Sequence, residues 1–281
     1  MSVVEIKSPG NLTLRTMRLV ASQARRAPAD LALAEGIRVL EEAHRSGREI
    51  LCAVVAEDFG GNSRESDLQA ALERSGIRVC RTTDRLLRSI STVVEPQRAV
   101  GLVRVPPLAL GGVSLAPDPL VVCLCGLQDP GNLGSLLRTA RAAGAAMAVT
   151  TRSTVSARNP KAVRASAGAF FALPVVESAC PADVLAFCRR RAIQLLRADA
   201  RGGEAYFNAD LRVATALLLG SEAHGFPETD WQGVRSVRIP MAAEVESLNV
   251  ATAGGVLLFE ARRQRQAGSQ DQDAPSSGAV P

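Results

Sequence analysis

The stretch that decides the fold is LVVCLCGLQDPGNLGSLLRTARAAGAAMAVTT, residues 120–151. It opens on a short continuous apolar run, LVVCLCGL, with the β-branched pair Val121-Val122, which predicts a strand buried on both faces. Asp129-Pro130-Gly131 then turns the chain. LGSLLRTARAAG sets Leu133, Leu136, Leu137 and Ala140 at helical spacing and stops at Gly144, after which AMAVTT predicts a second strand. A buried strand, a helix and another strand in this order imply a parallel sheet covered on both faces.

The alternation continues toward the C-terminus. KAVRASAGAFF predicts a helix, LPVVES a strand, and PADVLAFCRRR a helix with Pro181 in its first turn. AIQLLRADA, ATALLLG and VRSVRIPM predict three more strands, and IPMAAEVESLNVATAGGVLLFEARR, residues 239–263, runs into the last helix. The tail, residues 266–281, is polar and rich in Pro, Gly and Ser, a composition that predicts disorder. Toward the N-terminus, RVPPLALGGVSLAPDPL has no period and marks a linker over 105–118. Before it lies a small α/β unit, residues 10–104. RTMRLVASQARR and LALAEGIRVLEEAHRSG read as helices, ILCAVVAEDF as a strand, SDLQAALERSG as a helix, and IRVCRTT as a strand. DRLLRSIST reads as a short helix capped by Asp84. Residues 119–265 form the second domain.

The chain of 281 residues is 47% hydrophobic and 22% charged, a globular composition. No apolar run approaches the roughly 18 residues of a membrane span, and the N-terminus lacks a signal-peptide core, so a cytoplasmic protein is expected. Net charge is +5, and the 33 basic residues include only two lysines, Lys7 and Lys161. Arginine's planar fork suits phosphate, although an arginine-favouring base composition accounts for the bias equally well. Six cysteines without a CxxC pair and two histidines give no metal-ligand spacing, so no metal is expected and reduced thiols fit best.

In an open parallel sheet, ligands bind beyond the carboxyl ends of the strands. Three loops of the second domain occupy that place: residues 128–144, 220–226 and 239–249. A GxGxxG fingerprint is absent from the first, which argues against a dinucleotide oxidoreductase. Asn132 is a candidate helix cap, as are Ser247 and Asn249 at the entrance to the last helix. That helix carries Gly254-Gly255 in its body, where each glycine costs roughly 1 kcal/mol relative to alanine. Two in a row predict a close approach of another backbone.

Taken together, DPGNLGSLLRTARAAG, LLLGSEAHGF and IPMAAEVESLNVATAGGVLLFE resemble, in order and spacing, the three motifs of the SpoU (TrmH-like) branch of the SPOUT methyltransferases. NPKAVRASAGAFFALPV resembles that family's connecting segment. The resemblance implies an α/β fold whose C-terminal parallel-sheet domain carries a trefoil knot, an exception to the rule that chains do not thread. A small N-terminal α/β RNA-binding domain of the rRNA-directed type would precede it. It implies transfer of a methyl group from S-adenosylmethionine to a ribose 2′-hydroxyl in RNA, with ribosomal RNA favoured and transfer RNA the alternative, by a homodimer.

Carried over residue by residue, the resemblance places Gly220, Ile239, Met241 and Leu248 on the S-adenosylmethionine pocket. Each of the last three would be read as core packing if taken singly. Asn132, Arg138, Glu222, Ser247 and Asn249 match the polar motif positions that serve catalysis. A guanidinium effectively never deprotonates, so Arg138 is expected to position phosphate or a developing alkoxide rather than to act as a base. His224 is given no role. Arg15, Arg18, Arg25 and Arg26 in the first domain, with Lys161 and Arg164 in the connecting segment, are candidate RNA contacts, each equally readable as a solvated charge. Aromatic residues make up only 3%, so shape, phosphate and 2′-hydroxyl contacts are expected over base stacking. The rival from another class is a non-catalytic RNA-binding protein on the same scaffold.

Overall fold

Two sheets divide the chain in the computed structural model, which describes residues 4–220 and 231–272, with side chains described as far as residue 267. The first sheet is five-stranded and mixed, in the order β1-β4-β3-β5-β2. Its strands are β1 (Val4–Ile6), β2 (Leu31–Glu35), β3 (Ile50–Ala56), β4 (Val79–Thr82) and β5 (Ala99–Arg104). β1, β4 and β3 run parallel, while β5 is antiparallel to both β3 and β2. α1 (Leu12–Ala21), α2 (Ile37–Arg45), α3 (Ser63–Arg74) and α4 (Asp84–Arg88) pack against it. Leu14, Met17, Leu33, Leu40, Val54, Val55 and Leu72 form its core.

The second sheet has seven strands in the order β10-β12-β9-β11-β6-β7-β8, and every register resolved within it is parallel. These are β6 (Leu120–Cys125), β7 (Met147–Thr151), β8 (Val175–Ala179), β9 (Gln194–Ala198), β10 (Glu204–Ala205), β11 (Thr215–Gly220) and β12 (Arg235–Arg238). The helices between and after them are α5 (Pro130–Ala143), α6 (Pro160–Ala165), α7 (Ala169–Ala172), α8 (Pro181–Arg190) and α9 (Val250–Gln272). β6 and β11 are buried almost throughout, as an all-parallel sheet requires.

By compactness the chain forms two units. One holds the chain up to Ala109 together with Leu127–Arg138 and Val155–Glu177; the other holds Leu110–Gly126, Thr139–Thr154 and the chain from Ser178 on. The first sheet is built from residues before 105 and the second from residues after 119. Compactness instead places the first half of α5, with α6 and α7, alongside the N-terminal sheet.

Several local expectations are corrected. LALAE is strand β2, not the start of a helix. Its five residues are all buried, and Gly36 at φ +102 separates it from α2. β1 and β5 were not anticipated, and β1 extends the first sheet ahead of residue 10. KAVRASAGAFF forms two helices rather than one, because Gly168 adopts φ +90 between them. Thr83, not Asp84, caps α4, accepting from the Leu86 N–H. α9 carries helix through residues 266–272, where disorder was expected; the rest of that tail lies outside the described residues.

One ion-pair cluster makes a pH dependence predictable. Glu65 is 1% exposed and accepts from Arg98 Nε at 2.7 Å and from the Gly60 N–H at 2.8 Å. The Arg98 guanidinium, followed by the backbone donors, holds the Glu65 carboxyl below its ordinary value. A carboxylate with a lowered folded-state pKa contributes stability that is present above its unfolded value, about 4.3, and is lost as pH falls through the folded value. Unfolding free energy from urea titrations is therefore expected to decline as pH drops from 5 toward 3. Glu65→Gln should lower stability at pH 7 and flatten that decline; an unchanged slope would contradict the assignment.

Candidate active site

The first loop begins where β6 ends. Gly126 adopts φ +69, and its N–H donates to Thr154 Oγ1 at 3.0 Å. Asp129 then caps α5: its Oδ2 accepts from the Asn132 N–H at 3.0 Å, its carbonyl accepts from Leu133, and Pro130 opens the helix. The cap is thus Asp129, and Asn132 sits in the first turn instead of serving as the cap. Lys161 Nζ donates to Asp129 Oδ1 at 2.9 Å and, ahead of the Asn132 N–H, holds that carboxyl below its ordinary range.

Leu133, Leu136, Leu137 and Ala140 are fully buried, and Arg138 is exposed on the opposite side of α5. It has no ion-pair partner among the described residues. A close approach of backbones exists in this segment, but at Gly134. A Cβ there would fall 2.3 Å from the Ala162 carbonyl oxygen. At Gly255 the nearest atom among the described residues is Thr139 Cγ2 at 3.9 Å, an ordinary contact.

In the second unit, parallel register sets the carboxyl ends of four strands side by side. Gly220 of β11 pairs with Cys125 of β6, Leu218 with Arg197 of β9, and Val237 of β12 with Ala198. Ile239 and Met241 follow β12 directly, and Leu248 precedes α9. All three are half-buried. Half-covered apolar side chains, and a strand ending in glycine, suit an adenine and its sugar, which need apolar walls and close backbone groups. These residues fit S-adenosylmethionine.

The loop after β9 occupies the same end of the sheet and was missed from sequence. Asp199 donates its N–H to the Val237 carbonyl, and its Oδ1 accepts from the Arg201 N–H. RADARGG at a strand's carboxyl end was the available signal. Glu222 and His224 lie outside the described residues. Asn249 caps α9, its Oδ1 accepting from the Ala251 N–H at 2.9 Å, while Ser247 is exposed two residues earlier.

The candidate RNA contacts separate into two groups. Arg15, Arg25 and Arg26 are exposed. Arg18 is committed to backbone carbonyls, donating to Leu14 O at 3.2 Å and to Pro9 O. Arg164 is corrected: it donates to Glu35 Oε2 at 2.6 Å, and Glu35 is 2% exposed, so its charge serves a buried pair. Lys161 is exposed but paired with Asp129. Burial pushes the Cys52 and Cys188 thiols up to about 11, which makes them poor nucleophiles.

Comparison with known proteins bears on the family. Residues 119–259 match the model of the SpoU rRNA Methylase family. A protein of Xylella fastidiosa named 23S rRNA (guanosine-2'-O-)-methyltransferase RlmB is 34% identical, over 82% of this chain and 95% of its own length. Among solved structures, the SpoU methyltransferase AviRb from Streptomyces viridochromogenes in complex with its cofactor AdoMet superposes with a TM-score of 0.81. It is 28% identical over 92% of this chain and 100% of that one. An AdoMet-bound rRNA methyltransferase from Sinorhizobium meliloti gives 0.80 at 28% identity, over 93% of this chain and 98% of that one. With residues 119–259 matching the family model and a relative 34% identical over most of its length, the chain belongs to the SpoU rRNA methylase family.

Proposed function

We propose that this protein transfers the methyl group of S-adenosylmethionine to a ribose 2′-hydroxyl in ribosomal RNA. The observation that carries the reading is Arg138, exposed on α5 within the family-matched segment and without an ion-pair partner among the described residues. Gly220, Ile239, Met241 and Leu248 would hold the cofactor. When bound, it supplies an electrophilic methyl on a sulfonium.

The protein's task is then positioning and charge. Arg138 binds the substrate phosphate or the oxygen as its negative charge develops. The hydroxyl proton passes to solvent or to a carboxylate, because a guanidinium has no acceptor site. Asn132 and Ser247 are assigned to substrate. Asn249 combines such a role with its cap.

Ribosomal RNA is favoured over transfer RNA because the Xylella relative, whose name specifies 23S rRNA, aligns over most of this chain, including its N-terminal region. The N-terminal sheet and its helices are assigned to RNA binding through Arg15, Arg25 and Arg26. The linker at 105–118 separates this domain from the methyltransferase domain. A homodimer, a knotted path through the second sheet and action in the cytoplasm complete the reading. Phe259, 49% exposed on α9, is the kind of apolar surface a second copy would cover.

Saturating S-adenosylmethionine at about 100-fold its Kd is expected to stabilise the protein by about 2.7 kcal/mol. That corresponds to roughly 5–10 °C in Tm. NAD should give no shift. A shift with NAD, or none with S-adenosylmethionine, would remove the cofactor assignment.

A further inference from the structure

Glu35 ends β2 as a buried carboxylate whose oxygens are all engaged. Ser91 Oγ and the Thr92 N–H, at 3.2 Å, donate to Oε1; Thr92 Oγ1 donates to Oε2 at 2.7 Å, and Arg164 Nη1 donates to Oε2 at 2.6 Å. Arg164 also reaches Thr92 Oγ1. One carboxylate thus joins the N-terminal sheet, the loop after α4 and helix α6. A buried ion pair adds little stability over an apolar pair of equal volume, because both charges must be desolvated. It does impose one geometry, since every donor must meet its acceptor.

Backbone contact carries that geometry onward. α6 meets α5 at Gly134, where the Ala162 carbonyl, the Ala165 methyl and the Ser166 N–H leave no room for even a methyl group. No flexible side chain lies between the two helices at that point. The same helix α6 holds Asp129 through Lys161. Asn132 and Arg138 stand on the stretch of α5 so fixed, and all of these residues belong to one compact unit. Arg48 donating to Phe171 O at 2.6 Å and Arg158 donating to Val105 O at 2.9 Å tie the segment after β7 to the N-terminal part of the chain at two further points.

We propose that the Glu35–Arg164 pair is a positioning device that sets the register of α6 on the N-terminal sheet and, through Gly134, the placement of Arg138. The inference rests on the function proposed above, because it needs Arg138 to be the residue that meets the substrate. Neither Glu35 nor Arg164 touches RNA or cofactor in this scheme.

The test is the double variant Glu35→Gln/Arg164→Gln, which removes both charges together and so leaves no unpaired one buried. Single-turnover methyl transfer at saturating RNA is expected to fall at least tenfold. The Kd for S-adenosylmethionine should stay within twofold, and melting should stay above the assay temperature. Arg164→Lys keeps one donor for Glu35 and should run at least fivefold faster than the double variant.

A double variant within twofold of wild type overturns the inference. So does a rate loss matched by an equal loss of cofactor affinity, or an Arg164→Lys variant as slow as the double one. Should the double variant melt below the assay temperature, Thr92→Val carries the test, with a threefold fall expected and an unchanged rate overturning the inference. Wild-type protein that methylates no RNA would defeat the proposed function, and this inference with it. An active wild type alongside an equally active variant would defeat the inference alone.

Discussion

Arg138→Ala is expected to lower methyl transfer to RNA by about 10²–10³-fold, the loss typical of removing one preorganised charge donor at a transition state. Cofactor affinity should be unchanged. The division follows from where the residues lie. The positions assigned to S-adenosylmethionine end β11, follow β12 and precede α9, whereas Arg138 stands on α5, exposed and without an ion-pair partner among the described residues. Removing an exposed arginine leaves no buried charge of its own behind, so Tm should move by less than about 2 °C, as for most surface substitutions. Arg138→Lys separates positioning from charge. A lysine keeps the charge and loses the bidentate fork, so partial activity is expected. An Arg138→Ala enzyme within threefold of wild type would show that another group carries the chemistry.

The second large effect belongs to Gly134. In an exposed helix interior, replacing glycine by alanine gains about 1 kcal/mol. Here the added carbon would lie 2.3 Å from a backbone oxygen and 2.9 Å from a backbone nitrogen, neither of which can rotate away. Gly134→Val is therefore expected to destabilise by about 3 kcal/mol, the upper end for overpacking. Tm should fall by roughly 6–12 °C. Gly255→Ala is the internal control. Its nearest neighbour is 3.9 Å away, and the substitution should be neutral or stabilising by up to about 1 kcal/mol. Differential scanning calorimetry of the pair decides the matter. A Gly134→Val protein melting with wild type, or a Gly255→Ala protein melting far below it, would contradict the packing described.

The two glycines also show what a sequence can convey. Gly254-Gly255 drew attention because adjacent glycines in a helix are costly, yet a backbone approach of 2.3 Å falls at Gly134, a lone glycine among leucines that drew none. Which helix approaches which is a tertiary fact with no local signature. LALAE could be read with either period, since five buried residues on a strand paired along one edge look like the first turn of an amphipathic helix. β5 was missed because AVGLVR, interrupted by Gly101 and adjoining the Pro-rich linker, is too short to stand out as an element. The parallel sheet itself was legible, because buried strands of β-branched and small residues alternate with helices that stop at Gly144 and start at Pro181.

For the site, residue type and order located the loops, and the resemblance supplied roles. Neither could tell where a charge would be spent. Arg164 and Lys161 occupy the same helix in the same basic context, but one is neutralised by a buried glutamate 129 positions away and the other by an exposed aspartate. Asp129 and Asn132 were both able to cap α5, and the start of the helix at Pro130 decided for Asp129. Asn249 takes the capping role, its amide oxygen accepting from the Ala251 N–H.

The central claim is the transfer of a methyl group to a ribose hydroxyl, and identification of the product tests it most directly. Protein incubated with S-adenosylmethionine labelled in its methyl group and unmodified 23S rRNA transcript should place label in a single nucleoside. After complete digestion that nucleoside should migrate as a 2′-O-methylated species, and its 3′-phosphodiester should resist alkali. Label recovered on a base, or no label in any RNA from a protein that binds S-adenosylmethionine, would contradict the account.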